Sequence, residues 1–301
     1  MLLQRIITAS ILAVLIIVAV FQLPIEYFSM LMACVTLLAG WEWSQLAGIT
    51  TLPRKILFLV ALDLPMLGIH YWTQFLELIA LSFDWTDVRT YSGALEYLVF
   101  PPVLFWIMVM LIIRKAPEQA LKLELKIAYK LAIGWFVLLA TWMFLSRLRA
   151  FYGVEMTMYL LLLIWIADIA AYFVGKKWGA VKLSPEISPG KSVQGMYGAL
   201  IASVVCAVLL NIYLKIKYAS NIEYGVIQYE TAFDFILLSA LTVLISIYGD
   251  LFFSVVKRQC GVKDSGSILP GHGGILDRID SMIAAVPFFY AGIFLIRRAV
   301  E

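Results

Sequence analysis

The segment AFDFILLSALTVLISIYGDLFFSVV, residues 232–256, is apolar along almost its whole length. About 20 such residues form a helix that spans the hydrocarbon core of a bilayer. Similar runs recur throughout the chain, which is 63% hydrophobic and 14% charged, whereas soluble domains carry about 25% charged residues. The composition predicts an all-α polytopic membrane protein, and a membrane β-barrel would instead show short alternating strands.

The apolar runs predict nine membrane spans. They cover approximately residues 6–22, 27–47, 56–72, 95–113, 128–146, 157–175, 196–215, 232–256 and 281–297. We read the first as an uncleaved signal anchor, because it lacks a clear small-residue cleavage site. The third span is the weakest, since it contains Asp63 and Pro65. The fourth should kink at Pro101-Pro102, because proline removes a helical hydrogen bond.

The lysines and arginines in the connections predict the orientation. With a cytoplasmic N-terminus, most of the 23 basic residues fall on the cytoplasmic side. Nine spans then put the C-terminus on the opposite side. The formal net charge of +3 is too small to suggest a nucleic-acid partner, and we expect none. The three cysteines have no close spacing, so no disulfide framework or zinc site is implied.

The end of the eighth span runs into a charged loop, YGDLFFSVVKRQCGVKDSGSILPGHGGILDRID, residues 248–280. Asp250 lies inside the span, where a carboxylate is costly and indicates function by default. Ser254, Lys257 and Arg258 follow it at helical spacing, so the four side chains share one helical face. A simpler interpretation of Lys257 and Arg258 is that they are ordinary membrane-edge cations.

Asp277 and Asp280 stand three residues apart at the other end of this loop. If the ninth helix begins there, both lie on one side of it and could converge with Asp250 on Mg²⁺. The glycines of PGHGG allow backbone amides to approach a phosphate closely. Alternatively, Asp277 is a helix N-terminal charge, the glycines make a turn, and His272 is an ordinary loop histidine.

The earlier loop, WIADIAAYFVGKKWGAVKLSPEISPGKSVQG, residues 165–195, contains Asp168 within the sixth span. SPGKS resembles the end of a P-loop, but Pro185 stands where the required glycine should be, so that motif is rejected. We expect a constrained turn whose serines and lysine suit phosphate oxygens: Ser184, Ser188, Lys191 and Ser192. The alternative is a polar loop at the membrane surface.

These residues resemble the phosphatidate cytidylyltransferase, or CDP-diacylglycerol synthase, family of bacterial type. The family signature is matched without a spacing departure at Ser254, Lys257, Arg258, Lys263, Asp264, Gly266, Leu269, Pro270, His272, Gly273, Gly274, Asp277, Arg278 and Asp280. The specific resemblance covers residues 165–285, and the first 150 residues match only as a series of spans. We therefore divide the chain into N-terminal transmembrane helices, 1–150, and a catalytic transmembrane region, 151–301, with cytoplasmic active-site loops 176–195 and 257–280.

The resemblance implies that CTP and phosphatidic acid give CDP-diacylglycerol and pyrophosphate, with Mg²⁺ and a second, monovalent cation such as K⁺ as cofactors. It implies metal ligation by Asp250 and Asp277. The catalytic residues it suggests are Asp250, Asp277, Lys257, Asp264, His272 and Asp280. Phosphate-binding residues would be Lys191, Ser188, Ser192, Ser254, Arg258, Lys263, Gly273, Gly274 and Arg278. Asp168 and Tyr172 would support the site. The resemblance also implies a homodimer that is surrounded by membrane lipids. It implies that the protein lies in the bacterial inner membrane, with the active site at the cytoplasmic face.

Two other functions compete with this one. A CTP-dependent polyprenol or lipid kinase would use the same metal and nucleotide chemistry but transfer the γ-phosphate. A secondary transporter could use intramembrane carboxylates such as Asp168 and Asp250 as coupling sites. The sequence shows no internal repeat, and its charged residues concentrate toward one face, which disfavours a transporter.

Overall fold

The computed structural model of the chain describes residues 2–85, 93–217, 222–269, 271 and 273–300, with backbone alone for 2–7, 9, 222–231 and 299–300. The helices are α1 (Leu2–Gln22), α2 (Ile25–Leu46), α3 (Leu52–Phe83), α4 (Phe100–Lys115), α5 (Pro117–Lys122), α6 (Ile127–Phe151), α7 (Gly153–Trp178), α8 (Val193–Lys217), α9 (Ile222–Gln259) and α10 (Leu276–Val300). A short 3₁₀ helix, Ala94–Val99, precedes α4. The two described strands are β1 (Lys182–Ser184) and β2 (Ser188–Ser192).

Eight helices in the described part of the chain are long and apolar enough to cross a membrane. They coincide with the second to ninth predicted spans, which confirms an all-α polytopic membrane protein. The first predicted span lies on α1, whose described apolar part, Ser10–Gln22, is shorter than a full span.

The helix boundaries show where the prolines of the third and fourth predicted spans lie. Pro65 lies inside α3, which nevertheless continues for 32 residues, about 48 Å at 1.5 Å per residue. Pro101 and Pro102 stand in the first turn of α4, directly after the 3₁₀ helix. At a helix N-terminus the missing proline N–H has no helical partner to lose. The two prolines therefore follow the change from 3₁₀ to α helix in this span, and the expected kink stays a prediction.

The constrained turn expected to present Ser184, Ser188, Lys191 and Ser192 is confirmed only in part, because the turn is shorter than expected and these residues lie in the two strands that flank it. Ser188–Ser192 forms strand β2, which pairs antiparallel with β1 through Lys182 opposite Ser192 and Ser184 opposite Ser188. The turn lies between the strands, at 185–187. Pairing satisfies backbone groups that a longer turn would leave unpaired, and β2 leads directly into α8.

The core of the bundle places α9 and α10 side by side, with α8 and α4 against α9 and with α2 against α6. Trp43 of α2 is buried, and its indole N–H donates to the Lys130 carbonyl over 2.9 Å. Gly134 of α6 leaves room for that indole, since a Cβ built there would lie 1.8 Å from Trp43 Nε1. The indole therefore packs α2 closely against α6.

We expect Gly134→Ala to lower the thermal midpoint of the purified protein. The added methyl group must displace the Trp43 ring, and overpacking of this kind costs about 1–3 kcal/mol. Gly68→Ala in α3 is the matched control, because a Cβ there meets no atom within 4 Å. Differential scanning fluorimetry in detergent measures both variants, and equal midpoints for the two would contradict this account of the α2–α6 contact.

Candidate functional site

A polar cavity of about 750 Å³ opens where α7, α9 and α10 approach α1. Ten of the residues singled out in the sequence line it: Asp168, Asp250, Ser254, Lys257, Arg258, Lys263, Asp264, Asp277, Arg278 and Asp280. Five carboxylates and four cations therefore face one space. Apolar side chains of α1 and α7 complete the wall: Leu12, Ala13, Ile16, Trp165 and Ile169.

The polar face of α9 forms one side of the cavity. Asp250 lies about two helical turns before Lys257, and the Ser254 hydroxyl between them donates to Asp250 Oδ1 over 3.4 Å. The helix continues to Gln259, three residues beyond the predicted span. All four predicted polar residues of this face line the same cavity.

Asp277, in the first turn of α10, joins three parts of the chain. Its Oδ1 accepts a hydrogen bond from Lys257 Nζ at 2.7 Å. Its Oδ2 accepts from the backbone N–H groups of Ser265 and Gly274, at 2.8 and 3.0 Å. The same Lys257 Nζ lies 3.9 Å from Asp280 Oδ2. One ammonium thus lies between two carboxylates, and the contact ties α9, the loop and α10 together.

The Lys257–Asp277 pair is well shielded, with side-chain exposures of 12% and 6%. Charges removed from water in this way need close partners, and losing one partner costs several kcal/mol. The simpler interpretation, that Lys257 is an ordinary membrane-edge cation, does not account for its shielded contact with Asp277. Asp277 is a charge at a helix N-terminus, as the alternative interpretation of the sequence had it. It also binds Lys257.

The β-hairpin supplies the second wall. Lys191 of β2 lies 2.5 Å from Asp250 Oδ2, and its ammonium also donates to the Ile247 carbonyl over 3.3 Å. A smaller cavity of about 250 Å³ lies beside this contact. Asp168 and Asp250 line both cavities, so the two spaces adjoin at these carboxylates.

The remaining predicted residues lie at different distances from these cavities. Tyr172 and Ser192 line the smaller one, and the Ser192 hydroxyl accepts the Gly195 N–H at the start of α8. Ser188 lines neither cavity among those described. Gly273 adopts φ +83°, in the left-handed region that favours glycine. His272 and Pro270 lie outside the described residues.

Glu42 of α2 was not selected from the sequence. It is 1% exposed and accepts hydrogen bonds from the Ser265 hydroxyl and from the N–H groups of Ile275 and Leu276. It therefore contacts the same loop as Asp277, through a different set of donors. Its sequence position carries a signal, because Glu42 lies within the predicted span 27–47 and an acid within an apolar span indicates a functional site by default.

The carboxylate oxygens of the larger cavity suit a hard divalent cation. Within the described residues, no three His, Cys, Asp or Glu side chains form a ready-made metal cluster. Mg²⁺ does not need one, since it commonly takes one or two protein carboxylates and completes its shell with water and substrate phosphates. Asp250, Asp277 and Asp280 offer such oxygens to the larger cavity, and ammonium groups lie beside all three.

Residues 3–296 match the profile of the Cytidylyltransferase family. A Haemophilus influenzae protein named phosphatidate cytidylyltransferase is 33% identical over 302 residues, covering 96% of this chain and 97% of that protein. A Pseudomonas aeruginosa protein of the same name is 33% identical over 298 residues, covering 97% and 96%. A Bacillus subtilis protein of that name is 42% identical over 142 residues, covering 46% and 47%. The similarity to the first two extends along nearly the whole chain.

Proposed function

The chain belongs to the cytidylyltransferase family, and from that premise we propose how its cavity converts CTP and phosphatidate into CDP-diacylglycerol and pyrophosphate. The protein is an integral membrane enzyme of phospholipid synthesis. The observation that carries the proposal is the single cavity of about 750 Å³, in which carboxylates and cations meet an apolar wall. One reactant is a water-soluble polyanion and the other a lipid with an anionic headgroup, so both kinds of surface are required.

The reaction itself needs no protein nucleophile. The phosphate of phosphatidate is ionised, and one of its oxygens forms a bond to the α-phosphorus of CTP. The bond from that phosphorus to the oxygen bridging the β-phosphate breaks, and pyrophosphate leaves with the electron pair. Catalysis then consists of holding two anions in line and stabilising the charge that develops on the phosphoryl oxygens.

The cations of the cavity fit that task. We assign Lys257, Arg258, Lys263 and Arg278 to phosphate oxygens in the larger cavity, and Lys191 to the boundary with the smaller one. Arginine and lysine donors to phosphate form short, charge-assisted hydrogen bonds. Asp250 holds Lys191 in place before substrate arrives, and Asp277 holds Lys257.

Mg²⁺ is the metal we propose, with Asp250 and Asp277 as its protein ligands and Asp280 and Asp264 as neighbouring carboxylates. When bound, the ion would neutralise phosphate charge and hold the two substrates together. A monovalent cation such as K⁺ is a second proposed component. The glycine-rich segment with Gly273, Gly274 and His272 is assigned to phosphate. Ser254, Ser188 and Ser192 are also assigned to phosphate, and Asp168 and Tyr172 are assigned a supporting role.

The apolar wall formed by α1 and α7 is the side from which we propose that phosphatidate enters. Leu12, Ile16 and Ile169 would contact its glycerol and acyl carbons while its phosphate reaches the charged wall. We further propose that the active site faces the cytoplasm, because CTP is cytosolic. We also propose that the protein lies in a bacterial inner membrane and assembles as a homodimer.

The product of the reaction tests this proposal directly. Detergent-purified protein with CTP, phosphatidic acid and Mg²⁺ should form CDP-diacylglycerol and release pyrophosphate in equal amounts. Thin-layer chromatography of labelled CTP and a coupled pyrophosphate assay measure the two products. EDTA should stop both, and excess Mg²⁺ should restore them. Release of CDP with a phosphorylated lipid would instead identify a lipid kinase, and no product with phosphatidates of several chain lengths would contradict the proposal.

A further inference from the structure

Glu42 lies in α2, outside residues 165–285, the segment of the sequence that carries the family signature. Its carboxylate nevertheless contacts the charged loop at three points. Oε2 accepts from the Ser265 hydroxyl at 2.9 Å and from the Leu276 N–H at 2.8 Å, and Oε1 accepts from the Ile275 N–H at 3.0 Å. The residue is 1% exposed, so bulk water does not compete for these bonds.

A carboxylate is well suited to this position. Leu276 is the first residue of α10 and Ile275 directly precedes it, and the N–H groups at the start of a helix have no partner within it. An anion there satisfies these donors and interacts favourably with the helix dipole. A neutral amide would offer a single oxygen to three donors, and its NH₂ group would face an N–H.

Two glycines of the loop make this contact sterically possible. A Cβ at Gly266 would lie 2.5 Å from Glu42 Oε1, and a Cβ at Gly274 would lie 2.3 Å from Glu42 Oε2. The φ angle of Gly266 is outside the left-handed region, so close approach to Glu42, and not backbone conformation, is what requires glycine there. The loop is fitted to a carboxylate at this location.

The loop is therefore held by two carboxylates. Ser265 donates its hydroxyl to Glu42 and its N–H to Asp277. Asp277 in turn binds Lys257. A displacement of Ser265 or of the start of α10 would move Asp277, and with it the ammonium assigned to phosphate.

We propose that Glu42 is a positioning residue for cytidylyl transfer: it fixes Ser265 and the first turn of α10, and thereby places Asp277 and Lys257 toward the substrates. This inference rests on the proposed function for its kinetic part. Its structural part, a carboxylate of α2 that holds the loop, can be tested without any substrate.

Glu42→Gln is the first test. We expect kcat per folded molecule to fall about 10–100-fold, the size typical of residues that support a reactive group, with KM for CTP changed less than about threefold. Hydrogen–deuterium exchange should become faster in peptides from 264–269 and 273–276 and remain unchanged in α3. Glu42→Asp keeps the charge and should retain more activity than Glu42→Gln.

Glu96→Gln is the matched control. Glu96 also accepts a hydrogen bond from α10, from the Tyr290 hydroxyl at 3.2 Å, but about 20 Å along that helix from Leu276 at 1.5 Å per residue. We expect it to lower the thermal midpoint while leaving kcat per folded molecule within about twofold of the unmodified chain. Equal kinetic losses in the two variants would show that Glu42 serves stability alone and would overturn the inference.

A double-mutant cycle isolates the contact itself. Gly266→Ala should reduce kcat because its methyl group displaces the Glu42 carboxylate. Combined with Glu42→Asp, whose shorter side chain withdraws from that methyl group, it should reduce kcat by less than the product of the single effects. Fully multiplicative effects, together with unchanged exchange in the loop, would overturn the inference. Absence of transferase activity in the unmodified protein, with the exchange difference intact, would contradict only the proposed reaction.

Discussion

Asp277→Asn is expected to lower turnover about 10³-fold while the protein still accumulates in the membrane. Asn offers one oxygen where Asp277 uses both, and its NH₂ group would face either Lys257 Nζ or the N–H groups of Ser265 and Gly274. Leaving a buried partner charge uncompensated costs about 3–5 kcal/mol. If that cost falls on the transition state, it corresponds to roughly 10²–10⁴-fold in rate, and loss of the proposed metal ligand adds to it.

Steady-state kinetics with CTP and phosphatidic acid in mixed micelles measure this effect. Asp234→Asn is the matched control, since Asp234 is an exposed residue of α9, about 24 Å along the helix from Asp250 at 1.5 Å per residue. It should retain full activity. A fully active Asp277→Asn variant would remove both the metal assignment and the role of the Lys257 contact.

Lys257→Met is expected to reduce kcat/KM about 10²–10³-fold and to lower the thermal midpoint. Methionine retains the length and apolar stem of lysine but not the ammonium group that lies 2.7 Å from Asp277 Oδ1 and 3.9 Å from Asp280 Oδ2. Two shielded carboxylates would then face each other without a counter-charge, and the substrate phosphates would lose a donor. Removing one donor to a developing negative charge typically costs about 10²–10³-fold in rate.

Lys122→Met provides the comparison for Lys257→Met. The Lys122 side chain is 81% exposed and pairs with Glu118 across one helical turn at 4.0 Å. Exposed pairs of this kind contribute about 0–1 kcal/mol, so neither kcat/KM nor the midpoint should change appreciably. If both variants behave alike, the buried position of Lys257 has no special importance, and the proposed phosphate contact is wrong.

The helices and much of the cavity could be predicted from the sequence because both follow local rules. An apolar run of about 20 residues forms a membrane-spanning helix whatever its neighbours are. Helical spacing likewise places Asp250, Ser254 and Lys257 on one face of α9 before any tertiary contact is considered. The same spacing rule puts Asp277 and Asp280 together at the start of α10. The sequence alone thus determined the membrane class, the two charged segments and most of the residues that line the larger cavity.

Only the tertiary structure decided which charges meet. Lys191 and Asp250 are distant in sequence, and so are Glu42 and Leu276, yet each pair is within 3 Å. Nothing in a local pattern selects such partners, because a buried charge can be satisfied by any suitably placed group on any neighbouring helix. The choice follows from how whole helices pack, and in α2 that packing depends on details such as the fit of Trp43 over Gly134. For this reason the polar helix faces could be predicted from the sequence, while the contact of α2 with the charged loop could not.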